Sequence, residues 1–172
     1  MKKIVYRNRY LSIERETYRI RGRTAEVFRE IKPDIVIVVP RLPDCRFLME
    51  RQYRHAIKKY LYEFPAGQVD LGETPKTAAA RELEEETGYR ARRLTPLSEF
   101  YWIPGSSYQK HIFFYADVAD KGKRHLDDTE EISIVKMDGT SFEKAMRSGK
   151  IRDGKTALGF LLYSKYLAGK QS

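Results

Sequence analysis

A single cysteine, Cys45, occurs among 172 residues. That scarcity excludes an internal disulfide and any zinc site assembled from several thiolates, and it leaves Cys45 as a small buried or loop residue with no catalytic part. Long hydrophobic runs are missing too, since no stretch reaches the roughly 18 apolar residues of a membrane-crossing helix. The opening MKKIVYRNRYLSIERE is interrupted by charge too early for a signal peptide. A soluble, cytoplasmic protein is therefore expected, with no membrane partner. Internal repeats and low-complexity tracts are also absent, and the Gly- and Pro-containing stretches are no longer than turns. With 41% hydrophobic residues, enough for one core, residues 1–172 are expected to form a single domain.

What the chain has in quantity is charge. One third of it (33%) is Asp, Glu, Lys or Arg, and the net charge is +9. The basic residues are scattered over the whole length instead of forming a block or a helical stripe, which argues against a dedicated nucleic-acid module. A positive field of this kind helps equally to capture a small phosphate-bearing substrate.

Before Ala66 the sequence is rich in candidate strands: KIVYRN, LSIERETYRI, AEVFREI, DIVIVVP, RFLMERQYR and KKYLYEFP, separated by turn signals such as RIRGRT, IKPD and PRLPDC. DIVIVVP reads as a buried central strand. Thr74, Pro75 and Lys76 resemble a helix start, and TAAARELEEETG runs from there to Gly88, a helix-ending glycine. A second set of strands follows in RRLTPLSEFYWIP, HIFFYADV and ISIVKMD, then two helices near 141–148 and 155–167. Strands, helix, strands and helices in that order predict an α+β fold around a mixed or antiparallel sheet.

The helix beginning at Thr74 carries an oddity. Glu82, Glu84, Glu85 and Glu86 place four carboxylates in five positions of a basic chain, and like charges one turn apart repel. Glu82, Glu85 and Glu86 fall on one face, being related by three and four residues. The loop just before them contains Gly67 and Gly72, Arg81 sits among the acids, and Glu73 lies near the helix start to pair with it. A cluster made only of oxygen donors suits a hard divalent cation, which would relieve the repulsion.

The spacing Gly67, five residues, Glu73, seven residues, Arg81-Glu82-Leu83, one residue, Glu85-Glu86, one residue, Gly88 resembles the box of the Nudix hydrolases. The box usually ends in an aliphatic residue; Tyr89 stands there instead. The resemblance implies a mixed β-sheet sandwiched between α-helices, with the box as a loop, helix and loop that presents metal to a diphosphate. It implies hydrolysis of a nucleoside diphosphate linked to a further group. It makes Glu82, Glu85 and Glu86, with the backbone carbonyl of Ala66, the ligands of Mg2+ or Mn2+, and it makes Gly67, Glu73, Arg81 and Gly88 the structural support of the box. Glu84 matches a variable position and is expected to face solvent.

EFPAGQVDLGE resembles the ADP-ribose pyrophosphatase branch of that family, as does Pro104, sixteen positions after Gly88. The branch implies hydrolysis of ADP-ribose to AMP and ribose 5-phosphate. The alternatives that the box leaves open are another nucleoside diphosphate sugar, a dinucleoside polyphosphate or an oxidised nucleotide. ERQYR resembles the branch's glutamine, aromatic, arginine strand and nominates Arg54 as a phosphate contact. LDDTEEISIVKM resembles the loop from which the branch supplies a water-activating glutamate. Glu130 is the first choice for this base and Glu131 the second, and Glu85 joins them in the catalytic set. Pro104, Gly105 and Gln109 are expected at the substrate; at Gln109 relatives often carry an acid, and an amide still hydrogen-bonds but does not ionise. Among the aromatic residues of the amino-terminal strands (Tyr6, Tyr10, Tyr18 and Phe28), Tyr6 and Phe28 are the candidates to stack on a base. The strand region of about 1–35 is expected to pack on a second subunit, making a homodimer, with the catalytic core in about 36–172.

Overall fold

The computed structural model describes residues 2–9, 11–126 and 131–170. Strands β1 (Lys2–Arg7), β2 (Ser12–Ile20) and β3 (Arg23–Ile31) form a three-stranded antiparallel sheet of their own. Its β2–β3 hairpin turns on Arg21 and Gly22, both with positive φ (49° and 74°), the backbone that a two-residue hairpin loop demands and that glycine tolerates best. The sheet is tied to the rest of the chain through segment 106–108: the Glu30 N–H of β3 donates to the Ser106 carbonyl at 2.8 Å, and the Tyr108 hydroxyl donates to Glu14 of β2 at 2.7 Å. Val5, Tyr6, Tyr18, Ile20, Phe28 and Ile31 of this sheet remain exposed.

The main sheet contains β4 (Ile35–Arg41), β5 (Phe47–Arg54), β6 (Lys59–Glu63), β7 (Ala66–Gln68), β8 (Tyr89–Tyr101), β9 (Lys110–Lys121) and β10 (Ile132–Met137). The order β10-β5-β4-β9-β8 is mixed, with β4 and β9 parallel and the other described pairs antiparallel. Strands β4 and β5 pair only where Arg41 faces Phe47 and then diverge. The fork between them is filled by β6, which pairs with β5, and by β7, which pairs with β4. Pro65 stands at the crossing from one prong to the other, where its missing N–H costs no ladder bond, while its carbonyl accepts from the Val38 N–H at 2.9 Å.

Helix α1 (Pro75–Thr87) follows β7 by a short loop. Thr74 caps its first turn by accepting from the Thr77 N–H, Pro75 opens it, and Gly88 closes it in the left-handed region (φ 72°). Helices α2 (Gly139–Arg147) and α3 (Gly154–Ala168) begin at Asp138 and Asp153, each of which caps its helix in the same way. DIVIVVP is covered on both faces: Val36 and Val38 pack on Ala78, Ala79 and Leu83 of α1, while Ile37 and Val39 belong to a layer with Phe47, Phe64, Phe113, Phe142 and Phe160 beneath α2 and α3. The expected α+β sandwich is thus present. No described helix is long and apolar enough to cross a membrane.

Aromatic stacking holds the α2–α3 face. Phe142 lies flat on Phe160 (centroids 4.2 Å, planes 12° apart) and on Phe64 (5.5 Å, 16°). Phe142→Ala removes a fully buried ring and is expected to cost about 3–5 kcal/mol, to be read by urea denaturation. A loss under about 1 kcal/mol would mean that this face is not part of the core.

Candidate active site

Helix α1 presents its acids as the sequence spacing requires, and the preceding loop folds back over them. A cavity of about 680 Å³ is lined by Ala66, Gly67, Gln68, Asp70, Arg81, Glu82, Glu85, Glu86, His125 and Leu126. Arg81 stands at its centre. Its Nη1 donates to Glu82 (2.8 Å) and Glu85 (2.9 Å); its Nε and Nη2 grip the two oxygens of Glu73 (3.2 and 3.1 Å), and Nη2 also donates to the Gln68 carbonyl at 2.9 Å. One guanidinium therefore offsets part of the charge of the convergent acids and fastens the loop to the helix, a task for which its five fixed donors suit it better than a lysine. These bonds, the one to Glu73 first, raise the Arg81 pKa, and the same bond holds Glu73 below the usual carboxylate range.

Glu86 is buried, and its carboxylate accepts from the Ala66 N–H at 2.9 Å. Gly67 is required by closeness: a Cβ there would lie 2.0 Å from the Glu82 carboxyl carbon. A side chain at position 67 would have to displace the Glu82 carboxylate. Glu84, expected in solvent, is instead tied to Arg90 at 2.7 Å and receives the Lys123 N–H at 3.3 Å. It fastens the end of α1 to β8 and the segment after β9.

The donors meet the chemical requirement of a hard cation. Glu82, Glu85 and Glu86 supply only oxygen, on one rigid helix, beside a loop with free room for water. In the present geometry Arg81 Nη1 occupies the space between Glu82 and Glu85, and no three acidic, imidazole or thiol side chains among the described residues surround a common point. The carboxylates converge; their common counter-charge here is a guanidinium.

A second cavity of about 580 Å³ shares Ala66, Gly67 and Gln68 with the first and continues past Ile35, Arg54, Trp102, Gln109, His111, Asp153, Gly154 and Lys155. Arg54 forms a two-pronged bond to Glu63, with Nε and Nη2 each 2.7 Å from a carboxylate oxygen. Glu63 is almost wholly buried (1% exposed) and also lies 3.5 Å from the Lys155 amine. That bond raises the Arg54 pKa and leaves Nη1 with no partner among the described residues, so the cation is rigid and has donors to spare. Lys155 is further held by Asp153 at 2.6 Å. Sequence reasoning nominated Arg54 and Gln109 in this cleft but missed Trp102, His111, Glu63 and Lys155, which chain segments far apart in sequence bring together.

The remaining nominated residues are dispersed. Pro104 and Gly105 line a different cavity with Glu16, Tyr18, Val27 and Arg29 of the amino-terminal sheet. Tyr6 and Phe28 lie on that sheet and line neither of the two joined cavities. Glu131 accepts a bond from the Tyr60 hydroxyl, which raises the Tyr60 pKa, and it does not line the carboxylate cavity. Glu130 and Tyr10 lie outside the described residues.

The NUDIX domain model matches residues 32–155, and the chain belongs to this family of hydrolases. It is 34% identical over 127 residues to the ADP-ribose pyrophosphatase of Bacillus subtilis (strain 168), covering 73% of this chain and 69% of the relative. It is 29% identical over 164 residues to a GDP-mannose pyrophosphatase of Salmonella paratyphi B, covering 87% and 85% respectively. A crystal structure described as an ADP compounds hydrolase superposes with a TM-score of 0.87 at 23% identity, over 99% of this chain and 93% of that one, which shows the shared fold.

The position of Arg81 generates a test. Oxygens of Glu82 and Glu85 bonded to one nitrogen are within roughly 6 Å of each other, and two such charges repel by about 3 kcal/mol at an effective dielectric near 20. Glu85 is 39% exposed, so solvent screening reduces this. Arg81→Gln is expected to cost the metal-free protein about 1–2 kcal/mol, and added Mg2+ should restore part of the loss. Thermal denaturation with and without chelator reads both; an unchanged Tm without metal would contradict the role given to Arg81.

Proposed function

We propose that the chain is a divalent-metal-dependent pyrophosphatase that cleaves the diphosphate bond of ADP-ribose, giving AMP and ribose 5-phosphate, and that it works in the cytoplasm. The observation that carries this reading is the adjacency of two cavities: a carboxylate-lined one, and one lined by Arg54, Lys155 and Trp102, which share the backbone of Ala66–Gln68 as a wall. A nucleoside diphosphate sugar has the matching layout, with a charged middle and uncharged ends. The names of the Bacillus and Salmonella relatives favour a nucleotide sugar as substrate.

Glu82, Glu85 and Glu86, with the Ala66 carbonyl, would hold Mg2+ or Mn2+. The bound ion would neutralise the diphosphate and lower the pKa of a water. The chain's own residues do the rest. Arg54, locked by Glu63, binds a phosphate oxygen through Nη1, and the Lys155 amine, paired with Asp153, stands on the same side. Arg81 keeps the loop and helix in register, so that Ala66 and the three glutamates face one volume. Glu130 takes the proton as a P–O bond to water forms and the P–O–P bridge breaks. His125 and Leu126, a few residues before Glu130, line the carboxylate cavity.

The exposed apolar residues of the amino-terminal sheet support a homodimer built on that sheet. A second substrate reading, GDP-mannose or another nucleoside diphosphate sugar, is favoured by Gln109, an amide where an acid is common in the branch.

A substrate panel tests the proposal. ADP-ribose is expected to give the highest kcat/KM with Mg2+; turnover no faster than that of GDP-mannose or oxidised dGTP would overturn the assignment. Glu86→Gln and Glu82→Gln are each expected to lower kcat on the order of 10²–10³-fold with the fold retained by circular dichroism, and Glu130→Gln to slow hydrolysis without loss of metal binding.

A further inference from the structure

Trp102 is the only tryptophan in the chain, and it is set as a flat wall of the second cavity. Its indole lies 4.7 Å from the His111 ring with the planes 11° apart. His111 is buried, and burial first, then Lys155, lowers its pKa. On another side the indole reaches Gly154 at the start of α3, where a Cβ would come within 3.2 Å of its ring; the glycine makes the room. Held in this way, Trp102 is still 40% exposed. An indole that is fixed by stacking and yet open to a polar cleft does little for the core.

Gln109 stands in the same cleft with its amide orientation decided. Its nitrogen donates to the Pro33 carbonyl at 2.6 Å, and a carbonyl only accepts, so the nitrogen must face it. The amide oxygen is then left as an acceptor with no partner among the described residues. A fixed flat aromatic face beside a fixed acceptor matches a nucleobase carrying an exocyclic amino group. A base gains dispersion over its whole ring, whereas a sugar offers the indole only one edge of C–H groups. Arg54 and Lys155 lie in the same cavity, next to the Ala66–Gln68 backbone, where a diphosphate would sit between the base and the carboxylates.

We propose that Trp102, backed by His111, is the stacking platform for the nucleobase and that Gln109 reads its amino group, which makes Trp102 a specificity-determining residue. The assignment rests on the reading of this site as one for a nucleoside diphosphate sugar. It departs from the expectation that Tyr6 and Phe28 stack on the base.

The lone tryptophan makes the test direct, because its emission reports this site and no other. Titration of the wild-type protein in Mg2+ with AMP, a product that is not turned over, is expected to quench it saturably, and ribose 5-phosphate is expected to leave it unchanged. Trp102→Leu should raise KM for ADP-ribose about tenfold, as for loss of one base stack, with kcat within a few-fold, while Trp102→Phe keeps most of the affinity. Quenching by ribose 5-phosphate but not AMP would hand the platform to the sugar and overturn the proposal; so would an enzyme that turns over ADP-ribose while neither ligand changes the emission. Quenching by AMP or GMP in a protein that prefers a different nucleotide sugar would uphold the platform while correcting the substrate, so the two failures are distinguishable.

Discussion

Three glutamates and one arginine meet at the loop–helix junction of α1, and the geometry of the rest of the site follows from how that charge is balanced. Glu82 and Glu85 share Nη1 of Arg81, and Glu73 takes the other side of the same guanidinium. Without a counter-charge the acids would push the loop and the helix apart. With one they form a stiff oxygen-rich wall whose spacing is set by the helix. Glu86 completes it by turning onto the Ala66 N–H, which ties the helix to the start of β7. The arrangement explains why a basic chain retains consecutive acids: they are a receptor for positive charge, filled by Arg81 in part and suited to a cation for the remainder.

The sheet supplies the second constraint. Because β4 and β5 separate after their single pairing at Arg41 and Phe47, β6 and β7 enter the fork and deliver Glu63 and Ala66 to adjacent positions, three residues apart. Glu63 fixes Arg54 and stands near Lys155, while Ala66 meets Glu86. The proposed phosphate-binding and metal-binding sides of the site are therefore joined by the few residues around Pro65. Helix α3 contributes by beginning at Gly154, where the absence of a side chain admits Trp102.

Much of this was legible in the sequence where the signal is local. Thr74, Pro75 and Gly88 mark the ends of α1 because capping is decided by neighbouring residues, and the three-and-four spacing of Glu82, Glu85 and Glu86 fixes their common face. DIVIVVP declared a strand buried on both sides. Strand β7 was not legible: AGQ has no alternation and no β-branched residue, and it is a strand only because β4 offers it an edge. The parallel pairing of β4 with β9 is equally a tertiary fact. Glu84 could be placed by family pattern but not by partner, since Arg90 comes to it across the helix end. Trp102, His111 and Lys155 carried no motif; their meaning arises from strands and a helix that are distant along the chain.

The claim on which the account depends is that these acids exist to hold a divalent cation, and the most direct measurement is a Mn2+ titration followed by electron paramagnetic resonance on the wild-type protein and on Glu82→Gln. Saturable binding by the wild type that is weakened at least tenfold by Glu82→Gln, a loss of the size seen when a metal site is disturbed, is the result predicted. Equal binding by the two proteins, or none by either, would contradict it.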